Sequence, residues 1–281
     1  MPTVTANVKR GLLVVLAMAF GLTGCTREPL VEPTPKTRTA TPAALPTSTV
    51  PVPTAAPTPS ATPESVQGLS LNPTSAREES AQDRFSLEVT SPHLEGASGT
   101  PADAFNCEVE ALIAGIVTAF RVSAREVAAS GIPADQSSYL GIGYNVAGVV
   151  NGVLSVEIGV DMYAAGAAHP SHRTEVLNYE LATGKVLGLP DLFRAGSNHL
   201  QVIADYCMQD LKRRDALVFE EGALPTAQAY QHWNLQPGGL LITFDEYQVA
   251  PYSAGPQRVL VPYSSLRDIL DPAGPLAPFT R

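Results

Sequence analysis

From Phe85 onward the spacing of apolar and polar side chains reads as a succession of elements. Phe85-Ser86-Leu87-Glu88-Val89 alternates with the period of a half-buried strand, and Ser91-Pro92 with Gly96 stops it. Thr100-Pro101-Ala102-Asp103 supplies an N-cap, a proline at the first helical position and an acid in the first turn. Phe105, Val109, Leu112, Ile116 and Phe120 follow at spacings of 4, 3, 4 and 4, one apolar face of a helix that ends before Gly131.

Two long strands come next, with Asn151-Gly152 as the turn between them. A two-residue loop pairs Val150 with Val153 and sets Val146 opposite Glu157, which mixes the two faces of the sheet. A three-residue loop with Gly152 left-handed pairs Val149 with Val153 instead. Leu140, Ile142, Tyr144 and Val146 then stand opposite Met162, Val160, Ile158 and Val156. Asn145 and Glu157 share the other face with Gly141, Gly143 and Gly159. A slip of one residue turns a whole strand over, so the bulged turn is the expected one.

A third strand spans about Thr174 to Leu181 and ends in the turn Ala182-Thr183-Gly184-Lys185. Ser197 opens a second helix with Leu200, Ile203, Cys207 and Leu211 on its apolar face. The triplet Lys212-Arg213-Arg214 closes that helix with favourable charge at its C-terminus. Trp233-Asn234-Leu235 and Leu240 to Phe244 flank a Pro237-Gly238-Gly239 turn. Arg258 to Val261 is a last strand, and Tyr263 to Leu266 a last short helix. The fold class is α+β: one compact domain over 83–281, with a mixed or antiparallel sheet packed by two main helices.

Upstream the character of the chain changes. Ten of its 25 prolines fall between Pro29 and Pro63, and no aromatic residue occurs between Phe20 and Phe85. No packed core can be built from that composition, so 25–82 reads as a disordered Pro/Thr-rich stalk. Before it, Lys9 and Arg10 precede an apolar run from Gly11 to Gly21, followed by Leu22-Thr23-Gly24-Cys25. A basic region, a short apolar run and small residues before a cut describe an export signal over 1–24. The cysteine makes it resemble a bacterial lipobox, which implies lipid attachment at Cys25. The expected location is the outer face of the cytoplasmic membrane, or the outer membrane where there is one, with membrane contact through the lipid alone. Loss of the leader takes the formal charge from −9 to about −11. A chain this acidic repels nucleic acid, so a sequence-independent nucleic-acid binder is excluded.

With Cys25 lipidated, Cys107 and Cys207 remain, one on each long helix. Outside the cytoplasm they are candidates for a disulfide, with two buried free thiols as the alternative. The run His169-Pro170-Ser171-His172 brings two histidines and a serine together, but no third metal ligand or orienting acid stands at a diagnostic spacing. Asp161 and Asp191 are as well explained by a polar strand face and a turn. No phosphate-binding loop, CxxC pair or HExxH helix is present, so no metal and no cofactor is expected. Tyr247, Tyr252 and Tyr263, with Pro251 and Pro256, are candidates for an aromatic ligand rim.

Longer runs carry a family resemblance. They are Ala165-Gly166-Ala167-Ala168-His169-Pro170, Asn178 to Leu187 (NYELATGKVL), Pro190-Asp191-Leu192-Phe193, Phe244 to Pro256 (FDEYQVAPYSAGP) and Val261-Pro262-Tyr263. Together they resemble the RsiV-type extracytoplasmic domain, also found beside peptidoglycan deacetylases and in secreted mycobacterial antigens. The resemblance spans roughly Phe85 to Leu270. It implies a receptor module, since RsiV-type anti-sigma factors use this domain to bind host lysozyme. Their inward signalling needs a membrane span and a cytoplasmic segment, neither of which is expected here. The expected function is a membrane-anchored binding module for a cell-wall component or a wall-degrading enzyme such as lysozyme, with His169, Tyr247, Pro251 and Tyr252 as candidate ligand-binding residues. It is not expected to be an enzyme. The alternatives are a peptidoglycan-acting hydrolase or its accessory domain, with His169 and a nearby acid as the working pair, and a purely structural envelope lipoprotein.

Overall fold

The computed structural model describes residues 64–66, 68–96 and 99–281. The expected signal peptide, Cys25 and most of the expected stalk lie outside the described residues. The folded part starts earlier than Asp83. After the short strand β1 (Glu64–Val66), β2 (Leu69–Ser80) pairs along its length with β3 (Phe85–Leu94). β2 carries no apolar alternation because only Leu71 on it is buried. Its order comes from the backbone ladder and from cross-strand bonds, such as Thr74 Oγ1 to Ser91 Oγ at 3.1 Å.

Helix α1 (Pro101–Ala129) then returns the chain so that β4 (Ser138–Val150) lies parallel to β3. The remaining neighbours, β5 (Val153–Tyr163), β6 (Ser171–Glu180) and β7 (Lys185–Val186), are antiparallel, and the seven strands lie in sequence order. The expected helix face appears, with Phe105, Val109, Ile116 and Phe120 buried against Leu87, Ile142, Val156 and Ile158. Asn106 interrupts that apolar face. Its amide accepts from Leu94 N at 2.8 Å and donates to Leu94 O at 2.9 Å, which fastens the end of β3 to the helix.

Between Leu140–Met162 and Val146–Val156 the β4–β5 register is the expected one, but nearer the turn Val149 stands opposite Leu154 and not Val153, so the device that sets the register is different. The turn is the two-residue one, Val150 opposite Val153, with positive φ at both Asn151 and Gly152. The extra residue sits instead at Ala147, as a bulge between Val146 and Gly148. A bulge within the strand restores facial alternation as well as one at the turn does. Here Gly148 approaches the Leu235 carbonyl so closely that an added Cβ would stand 2.8 Å from it.

After α2 (His199–Arg213) come β8 (Trp233–Gln236), β9 (Gly239–Phe244) and β10 (Gln257–Pro262), a three-stranded antiparallel sheet, and then α3 (Tyr263–Leu266). On β5, Leu154, Val156, Ile158 and Val160 face α1, so Ser155, Glu157, Gly159 and Asp161 face the opposite way. The small sheet docks on that polar face. Asn234 Nδ2 donates to Ser155 Oγ at 3.0 Å, Leu235 N to Ser155 Oγ at 2.9 Å, and Asn178 Nδ2 to Trp233 O at 2.8 Å. A second apolar core fills the space among the small sheet, α2, α3 and the turn end of β4 and β5.

This layering corrects the disulfide expectation: Cys107 and Cys207 are free. Cys107 lies on the exposed side of α1, whereas Cys207 is fully buried in the core on the other side of the large sheet. A disulfide requires Cα atoms within about 7 Å of each other, and an intervening sheet forbids that. Among the described residues no helix is long and apolar enough to cross a membrane.

Candidate functional site

The candidate rim residues come from two connections, β5–β6 and β9–β10. The β5–β6 connection turns at Gly166, where φ is +85°, and presents His169 to solvent. The segment after β9 presents Tyr247, and Pro251 leads into a single 3-10 turn, Tyr252–Ala254. The imidazole of His169 lies 4.1 Å from the Tyr252 ring and 6.4 Å from the Tyr247 ring, centroid to centroid. His169 Nδ1 donates to Pro170 O at 2.7 Å, so Nε2 is free to accept from the Tyr247 hydroxyl at 3.3 Å. Tyr247 holds φ at +64° while leaving its side chain exposed (57%). A bulky residue in the left-handed region is backbone strain, and here it is spent on presenting an aromatic ring to solvent.

Carboxylates hold that loop in place. Asp245 Oδ1 accepts from Thr174 N at 3.1 Å and Glu246 Oε2 from His172 N at 3.3 Å. The loop thereby satisfies donors on the edge of β6 that no neighbouring strand reaches, β7 being paired only at Tyr179 and Glu180. Gln248 completes the clamp, accepting from Asp245 N at 3.1 Å and donating to Gly222 O at 3.0 Å and Ala229 O at 2.9 Å. Burial and the neighbouring Glu246 carboxylate raise the Tyr252 phenol above its usual pKa.

Beside the aromatic cluster lies an open cleft of about 530 Å³ lined by Glu157, Asp161, His172, Glu246, Tyr252 and Arg258, among others. His172 Nδ1 donates to Asp161 Oδ1, and the His172 and Tyr252 rings stack at 6.5 Å. Arg258 donates to Glu157 Oε1. Among the described residues no three His, Cys, Asp or Glu side chains converge to hold a metal ion.

The structure therefore brings His169, Tyr247, Pro251 and Tyr252 to one place and leaves Tyr263 elsewhere, buried with its hydroxyl donating to Gln236 O at 2.8 Å. It pairs Asp161 with His172, not with His169. Glu157 and Arg258 were not legible as a pair. The register puts Glu157 on the polar face of β5, but nothing in the sequence says which strand covers that face.

Residues 190–264 match the family described as "Protein of unknown function (DUF3298)". That stretch holds Tyr247, Pro251, Tyr252 and Arg258, while His169 and β5 precede it. Over 110 residues the chain is 26% identical to the peptidoglycan-N-acetylmuramic acid deacetylase PdaC of Bacillus subtilis, a span of 37% of this chain and 24% of that protein. It thus matches about a quarter of that relative's length. Crystal structures of DUF3298 family members share the fold. One from Bacteroides fragilis gives a TM-score of 0.57 at 19% identity, covering 76% of this chain and 97% of the other. One from Pseudomonas aeruginosa gives 0.50 at 18% identity, covering 73% and 94%. The Tyr247 loop thus lies within the stretch, residues 190–264, that is similar to the DUF3298 family.

Proposed function

We propose that this chain is an extracytoplasmic binding module, lipid-anchored through Cys25, whose ligand is a glycan component of the cell wall. The observation that carries the reading is the aromatic cluster of His169, Tyr247 and Tyr252, held at the mouth of a carboxylate-lined cleft by the strained, clamped loop at Tyr247. Aromatic faces take up the apolar face of a sugar ring while carboxylates accept from its hydroxyls, the usual division of labour in a ligand site. The partial likeness to a deacetylase that acts on peptidoglycan supports the same ligand class. A second reading, capture of a wall-degrading enzyme such as lysozyme, is favoured by the formal charge of −9, which attracts a basic protein.

Calorimetric titration of the purified chain with soluble peptidoglycan fragments, and separately with c-type lysozyme at low and moderate salt, tests both readings. Under the first, fragments saturate the protein and Tyr247→Ala and Tyr252→Ala each weaken binding about tenfold, the loss of one aromatic contact. Under the second, lysozyme binding survives moderate salt; attraction that disappears with salt is charge alone. If neither ligand binds, both readings fall.

A further inference from the structure

The outer edge of β6 is covered at two places and open between them. In an antiparallel ladder the N–H and C=O of one residue leave the strand on the same side, and the side alternates along the chain. Thr174 N reaches Asp245 and Asn178 O accepts from Leu187 N at 2.8 Å, so Thr174, Val176 and Asn178 all turn these groups away from β5. The Asp245 loop covers the edge at Thr174, and the end of β7 covers it at Asn178. Between them, Val176 N and Val176 O have no hydrogen-bond partner among the described residues. Continued in register, β7 would bring Leu189 opposite Val176. The chain turns away first: Gly188 N donates to Asp191 Oδ2 at 2.8 Å, a 3-10 turn follows over Leu189–Leu192, and Pro190 has no N–H to offer a ladder. Beside this gap lies an apolar pocket of about 490 Å³, lined by Val176 itself and by Val186, Pro190, Leu200, Tyr230 and Trp233, among others. Val186 is 40% exposed.

We propose that this gap is a docking site for an extended peptide segment of a partner protein, which adds a short strand to β6 opposite Val176 and seats one large apolar side chain in the pocket. The site is separate from the aromatic cluster and does not depend on the glycan reading. An apolar lining by itself selects no class of partner; the open edge does. A strand N–H and C=O side by side are the complement of one residue of another strand, which returns a C=O and an N–H at the same spacing. The register follows. The residue opposite Val176 exchanges both bonds with it, so it cannot be proline. Its side chain stands on the same face as that of Val176, which lines the pocket. Because the edge is already covered at Thr174 and Asn178, the added ladder is little more than one rung long. Specificity therefore falls on the single side chain that enters the pocket.

The test uses the purified chain and capped peptides Lys-Thr-Xaa-Thr-Lys, with alanine, leucine or phenylalanine at Xaa, followed by NMR and by amide hydrogen exchange. In the free chain the Val176 amide should exchange fast, and the leucine or phenylalanine peptide should slow it at least tenfold at saturation. Either peptide should bind about tenfold or more tighter than the alanine one, the worth of one buried apolar side chain. Methylating the Xaa nitrogen, which removes the donor to Val176 O, should weaken binding about tenfold. Ala227→Trp, at an exposed residue of the pocket lining, should fill the pocket and abolish binding with the melting temperature unchanged. If the methylated peptide binds equally well, the pocket takes apolar groups without strand addition and the inference is overturned. It is overturned also if none of the peptides binds at millimolar concentration. A Val176 amide already protected in the free chain overturns it as well, since the edge is then covered by another part of this chain or, where protection rises with protein concentration, by a second copy.

Discussion

Ser155 is the point at which the small sheet is fastened to the large one, and replacing it by alanine isolates what that fastening contributes. The side chain is fully buried. Its hydroxyl donates to Asn178 Oδ1 and accepts from Asn234 Nδ2 at 3.0 Å and Leu235 N at 2.9 Å. In Ser155→Ala, Asn234 keeps its bond to Val156 O at 3.1 Å, but Leu235 N and Asn178 Oδ1 lose the bonds described. Two orphaned groups at about 1–3 kcal/mol each predict a loss of about 3 kcal/mol. The space of one hydroxyl is too small to admit a rescuing water. For a domain of this size that loss corresponds to roughly 6–12 °C in Tm. The single tryptophan, Trp233, is buried on β8 beside this junction, so its fluorescence during urea unfolding reports the transition directly. A loss below about 1 kcal/mol with an unchanged denaturant slope would refute the claim that this polar strip holds the sheets together.

Thiol chemistry offers a second check. Cys107 should react with a maleimide at once in the native protein, and Cys207 only after denaturation, because burial raises its thiol pKa and closes access; equal native reactivity would contradict the layering. Alkaline stability offers a third. Burial pushes the Tyr230 and Tyr263 phenols above their ordinary value of 10.0, and each donates to a backbone carbonyl, Ala223 O and Gln236 O. A group whose folded pKa is raised contributes stability that is fully present below its unfolded pKa and is lost as pH rises toward the folded one. Stability should therefore fall above about pH 10, and less steeply in Tyr230→Phe; an identical slope in that variant would count against it.

The hydrophobic pattern alone was enough to identify α1, α2, the β4–β5 register from Leu140 to Val146 and the β8–β9 hairpin, because each is a local period whose apolar members must share a face. Asn151-Gly152 marks the place of the turn in the sequence, whereas its two-residue form and the bulge at Ala147 are not legible there. A facial slip can be absorbed at any position along a strand, and the close approach of Leu235 that favours Gly148 comes from a segment far along the chain. β2 leaves no signature in the sequence for a related reason. A polar strand is held by its backbone ladder, and backbone hydrogen bonds leave no mark on side-chain periodicity.

The candidate site divides in the same way. His169, Tyr247, Pro251 and Tyr252 are legible as chemistry in the sequence and lie in the runs that carry the family resemblance. Their convergence, the pairing of Asp161 with His172, and Glu157 under Arg258 exist only because one sheet docks on the polar face of another. Side-chain period says which face of a strand is polar. Which distant segment covers that face is settled by the sum of buried contacts across the whole fold, and no local pattern carries that sum.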